Sequence, residues 1–141
     1  MWADSPPRSR VWLSGVDAHA RLLRYAVAGA AIAVGLRIFG LPPVPIHGPF
    51  HWLGLMSPSC GLTRATRLLA VGDVHDAWRF NPGVFVLAAA DVVVLGRHAL
   101  GRVTGQWINV ALAHPRLVYA ILAVPLALLW WNQQLHAALL K

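Results

Sequence analysis

Tyr25-Ala26-Val27-Ala28-Gly29-Ala30-Ala31-Ile32-Ala33-Val34-Gly35-Leu36 runs without a single charged side chain. Extended over 22–41, it reaches the about twenty residues that a helix needs to cross a bilayer. This is a first membrane span. A second apolar stretch covers 82–100, opening on Asn81-Pro82, and a third covers 115–131, ending on Trp130, Trp131 and Asn132 at an interface. Asn81 can accept from the free N–H groups of a helix start, and Pro82 suits a first helical position, where its missing N–H costs no hydrogen bond. Pro125 is placed to kink the third span. Around the spans lie an N-terminal arm, 1–21, and a segment, 50–80, too interrupted to cross. The expected fold is an all-α integral membrane protein, one membrane domain over 1–141, with three transmembrane helices and an interfacial helical insert between the first and second.

Composition points the same way. Hydrophobic residues make up 57% of the chain and charged residues 12%, far more apolar than a soluble domain. The net charge of +7 would suggest nucleic acid in a soluble protein. Here eleven of the twelve Lys and Arg residues are arginines, scattered mostly through short connections, which suits helix orientation and contact with membrane lipids. No nucleic-acid partner is expected. Arg8, Arg10, Arg21, Arg24, Arg97, Arg102 and Arg116 fall on the N-terminal side; Arg64, Arg67, Arg79 and Lys141 fall opposite, with Arg37 inside the first span. That bias predicts a cytoplasmic N-terminus and an external 50–80 segment. Leu41-Pro42-Pro43-Val44-Pro45 offers no small-residue cleavage pattern, so the first span reads as an uncleaved anchor.

The chemistry concentrates in Ser57-Pro58-Ser59-Cys60-Gly61-Leu62-Thr63-Arg64. The preceding Phe50-His51-Trp52-Leu53-Gly54-Leu55-Met56 is apolar but short, and reads as interfacial or re-entrant. Ser57 can cap a helix that starts at Pro58, holds Cys60 in its first turn and ends at Gly72; Asp73 can cap a second short helix reaching Phe80. At helical spacing Cys60, Thr63, Arg64 and Arg67 share one face. Such a face could lower the Cys60 pKa through the helix dipole, or receive a phosphate or carboxylate on the Arg64 fork. The competing explanation is packing: Cys60 and Gly61 as small residues at a helix contact, with Arg64 paired internally.

Met56 to Pro82 resembles a family of small bacterial membrane proteins known as domain of unknown function 2752. The likeness rests on Pro58, Cys60, Gly61, Thr63, Arg64, Ala65, Gly72, Asp73, Asn81 and Pro82. It implies a small multi-span protein of the bacterial cell membrane and brings no established reaction. This chain has Ser57 where the family pattern has its first cysteine. A Cys-x-x-Cys disulfide or two-thiolate metal site therefore cannot form within one copy, and Cys60 acts alone, with a partner's thiol, or as packing.

Asp91 is the one carboxylate within a span, and it should face protein, with Arg37 or Arg64 as its partner. His47 and His51 are four apart, but Pro49 lies between them and no acidic ligand set accompanies them or His75, so no metal and no cofactor is expected. The seven tryptophans suit interfacial anchoring better than base stacking. Small size, the spare intramembrane charge and the lack of a legible catalytic set predict an accessory or scaffold subunit, packed against a larger membrane protein or complex. The alternative is a membrane-embedded enzyme or carrier site for an anionic lipid or phosphate-bearing ligand at the Cys60 to Arg67 face. A thiol relay through Cys60 is the third reading.

Overall fold

The structure, a computed structural model, describes residues 9–43, 56–112 and 115–140, with backbone alone at 115–117 and 139–140. In chain order the elements are β1 (Arg10–Ser14), α1 (Ala20–Phe39), α2 (Leu62–Val71), α3 (Val74–Phe80), α4 (Gly83–Thr104), β2 (Trp107–Ala111), α5 (Pro115–Leu135) and α6 (Ala137–Leu140). Three helices are long and apolar enough to cross a membrane: α1, α4 and the Val118–Leu135 stretch of α5. The chain is a multi-pass membrane protein. At 1.5 Å per residue the 22 residues of α4 extend about 33 Å, a full hydrocarbon core. Outward-facing side chains such as Tyr25, Ile32, Val86, Val92 and Tyr119 are exposed and apolar, as a lipid-facing surface requires.

Helix α1 packs along α4 and reaches α2 at its C-terminal end. There α2 and α3 fold against each other over a small core of Ala65, Ala77 and Val84, sealed by Leu62, Leu68, Leu69, Phe80 and Phe85. Two turns make this possible. Gly72, at φ 91°, ends α2 in the left-handed conformation, and its N–H bonds back to Leu69 O at 3.0 Å. Asp73 then caps α3, its Oδ1 accepting from Asp76 N at 3.1 Å.

The start of α2 differs from the sequence expectation. Its first residue is Leu62, four positions after Pro58, and Gly61 at φ 75° precedes it. A left-handed residue cannot continue a right-handed helix. Residues 57–60 instead form a turn closed by Cys60 N to Ser57 O at 2.9 Å and Leu62 N to Ser59 O at 3.1 Å. Ser57 Oγ shares a hydrogen bond with Ser59 Oγ at 3.0 Å, so neither Ser57 nor Pro58 caps α2, and Cys60 lies before the helix rather than in its first turn.

The helical class holds in the membrane, with one addition outside it. β1 and β2 pair antiparallel in the register Trp12↔Asn109, tying the N-terminal arm to the connection between α4 and α5. Two five-residue strands almost a hundred positions apart carry little local signal, and each finds its ladder partner in the other. The 50–55 segment, His47, His51, Trp2 and Trp52 lie outside the described residues. The remaining tryptophans sit at the two ends of the bundle: Trp12 and Trp107 on the ribbon, and Trp78, Trp130 and Trp131 at the opposite end.

Candidate functional site

At the motif end, Asn81 organises the turn. It is fully buried, and its Nδ2 donates to Pro58 O and Cys60 O, both at 2.9 Å. Its Oδ1 accepts from Gly83 N at 2.9 Å, closing the start of α4 just after Pro82. One amide thus spans α3, the 57–60 turn and α4. Beside it Cys60 Sγ lies 3.6 Å from the Sδ of buried Met56. Burial pushes the Cys60 thiol above its ordinary value, and the Gly61 N–H offsets this only in part. The expectation of a dipole-activated thiolate is therefore corrected, because the sulfur precedes the helix and faces methionine.

The four residues expected to share a face diverge. Thr63 and Arg64 are exposed, and the Arg64 guanidinium lies over the Phe80 ring, 4.9 Å from its centroid. Arg67 turns toward the end of α1, where its Nε lies near Gly40 and is buried without a hydrogen-bond partner among the described residues. Arg37, in the last turn of α1, donates to Ala70 O of α2. Cys60 lies in the turn before α2 with its sulfur against Met56.

Arg37 therefore does not pair with Asp91, and Arg64 does not either. Asp91 sits in the middle of α4, half-buried against α1, where a Cβ added to Gly29 would come within 2.5 Å of Asp91 Oδ2. Among the described residues it forms no ion pair and accepts no hydrogen bond. The reason is geometric: Arg37 leaves the membrane core at the far end of α1, about 12 Å along the axis from Gly29, and spends its fork on α2. An unpaired carboxylate near the middle of a span costs about 2.5–3.5 kcal/mol on insertion scales.

Residues 49–95 match the model of a family described as Protein of unknown function (DUF2752). The likeness to that family covers about a third of the chain. It takes in the 57–60 turn, α2, α3, the Asn81 bridge and the first half of α4 with Asp91, so the packing just described and the intramembrane carboxylate lie within one matched unit. No curated protein and no solved structure matches the chain.

A second polar cluster lies outside the matched segment, at the other end of the bundle. Arg97 Nη2 donates to Asp17 Oδ1 at 2.6 Å and to Asn109 Oδ1 at 3.0 Å, its Nε donates to Ile108 O at 2.5 Å, and its guanidinium lies 5.8 Å from the Trp107 ring. Asn109 is fully buried and also bonds Ala18 N, Ser14 Oγ and Val16 O. The Arg97 guanidinium holds the Asp17 carboxyl below its ordinary value, against an opposing effect of burial. The sequence reading counted Arg97 only as a charge on the N-terminal side and missed Asp17. The available signal was an acid just before the first span and an arginine near the end of the second, both on the same side. Among the described residues no group of three His, Cys, Asp or Glu could hold a metal ion, and His75 is exposed.

Proposed function

We propose that this chain is a small accessory or scaffold subunit that packs against a larger integral membrane protein in the bacterial cell membrane, with its N-terminus cytoplasmic and the motif end external. The observation that carries the reading is the third span. Among the described residues, α5 touches the rest of the molecule near its C-terminal end: Leu129 lies over Gly83, Gln133 Nε2 donates to Phe80 O at 3.3 Å and Gln134 Nε2 to Met56 O at 3.0 Å. Along the rest of α5, Tyr119, Ile121, Leu122 and Val124 are exposed. Helices in lipid associate through close packing and interhelical hydrogen bonds, so a span held at one end leaves its remaining length available to another protein. The motif residues fit this reading, since Asn81, Cys60 and Arg64 spend their contacts on internal structure. Placing Arg37 at the motif end narrows the charge bias behind the orientation, and a reporter fused after Lys141 tests it by reading an external C-terminus.

The test is a mild-detergent purification of the full-length chain from its native membrane with mass spectrometry of what copurifies. A membrane protein recovered in constant ratio, and lost when Ile121 and Val124 are both replaced by Trp, supports the reading. Monomer alone overturns it.

One observation favours a second reading, an anionic lipid or phosphate-bearing ligand at the motif end. The buried Nε of Arg67, without a partner, lies beside exposed Arg64 on α2 and near the end of α1. A phosphate-bearing lipid copurifying with wild type and lost in Arg67→Lys, without loss of folding, supports this reading, because lysine keeps the charge but loses the planar fork.

A further inference from the structure

We propose that Asp91 is the recognition point for a transmembrane helix of another protein, one that carries a lysine or arginine at mid-membrane depth. The inference rests on the accessory reading for the existence of a partner and names the chemistry by which that partner is chosen. Asp91 lies on the seam of α1 and α4, in room that exists because residue 29 is a glycine. The seam gives the carboxylate space and no counter-charge: no hydrogen bond or ion pair reaches it among the described residues. Asp91 is only partly buried, and it stands one turn from exposed Leu87.

A carboxylate in hydrocarbon is stabilised by a cation at the same depth far more than by any neutral group. The occupant is not a second copy of this chain. The nearest basic residues on the seam helices are Arg24, about 7.5 Å along α1 from Gly29, and Arg97, about 9 Å along α4 from Asp91. Arg97 is already committed to Asp17 and Asn109, and Arg37 to Ala70. A basic residue rooted level with Asp91 must come from a different sequence.

The test uses the full-length chain, fluorescently labelled and reconstituted in phosphatidylcholine vesicles, with a labelled single-span Leu/Ala helix of about 23 residues whose central residue is Arg or Leu. Energy transfer should show the Arg helix associating about tenfold more tightly than the Leu helix. The preference should vanish in Asp91→Asn, survive in Asp91→Glu, and vanish again when the peptide's Arg is moved one turn from the centre. Helicity of Asp91→Asn by circular dichroism, together with unchanged weak binding of the Leu helix, shows that the variant is folded. Equal binding of the two peptides overturns the proposal, as does a preference that persists in Asp91→Asn. Self-association of the chain alone that disappears in Asp91→Asn also overturns it, by making a second copy the occupant. A preference for the Arg helix without any copurifying native partner would leave the recognition chemistry standing and remove the accessory reading. A native partner retained by Asp91→Asn would do the reverse.

Discussion

Asn81 joins three backbone segments through one side chain, and its value follows from what its loss would leave behind. Removing the amide strands two part-buried carbonyls, at Pro58 and Cys60, and the part-buried Gly83 N–H. Unsatisfied buried groups cost more than the net worth of the bonds they lose. Asn81→Ala should therefore destabilise the chain by about 2–4 kcal/mol, read from unfolding in detergent. Asn81→Asp should be worse, because a carboxylate would face two carbonyl oxygens. For Cys60 the raised pKa means that the neutral thiol is the buried form. Its contribution to stability is present at neutral pH and is lost as pH rises through the elevated folded value. Alkylation of native Cys60 at neutral pH should be slower than that of the same residue in the denatured chain, with the rate rising only in alkaline solution.

Between elements, two glycines measure how closely helices and ribbon approach. At Gly29→Ala the new methyl would meet the Asp91 carboxylate, so the α1–α4 seam must open or Asp91 must turn away. A loss of about 1–3 kcal/mol is expected, largely recovered in the double variant Gly29→Ala with Asp91→Ala, as a double-mutant cycle would show. At Gly101 an added Cβ would run into the Trp107 indole, which fixes β2 against α4. The ribbon also depends on the Asp17–Arg97 pair. The Asp17 pKa is lowered on folding, so its stabilisation is complete above the ordinary 3.8 and is lost as pH falls through the lower folded value. Spin labels at the register partners Val11 and Val110, in a chain with Cys60→Ser, should give a narrow short distance at neutral pH that broadens under strong acid. Asp17→Asn should broaden it already at pH 7.

For the whole molecule, the bundle is uneven. α1 and α4 form a continuous seam, α2 and α3 cap one end of it, the ribbon ties the other, and α5 is held at the capped end. Replacing Gln133 and Gln134 together by Leu removes both described hydrogen bonds from α5 to the cap. Spin-label distances between α4 and α5 should then widen, while the α1–α4 distance stays the same. If both distances stay the same, apolar contact such as Leu129 on Gly83 suffices to hold the third span, and the openness of α5 as a docking surface weakens.

The membrane class, the three spans, Gly72 as the end of one short helix and Asp73 as the start of the next were legible in the sequence, because apolar run length and terminal chemistry act within a few residues. So was the special character of Asp91, since a charge in an apolar run is conspicuous wherever it points. What surrounds it was not legible. Whether Arg37 reaches Asp91 or α2, whether Arg97 is a loop charge or the centre of a buried cluster, and whether residues 10–14 are an arm or a strand all depend on partners 33 to 101 positions away. The start of α2 is the instructive middle case. Ser57-Pro58 has good starting chemistry, but the left-handed Gly61 and the bonds from Asn81 hold residues 57–60 as a turn. Local propensity is worth tenths of a kcal/mol to about 1 kcal/mol, and a buried amide that satisfies two carbonyls at once outweighs it.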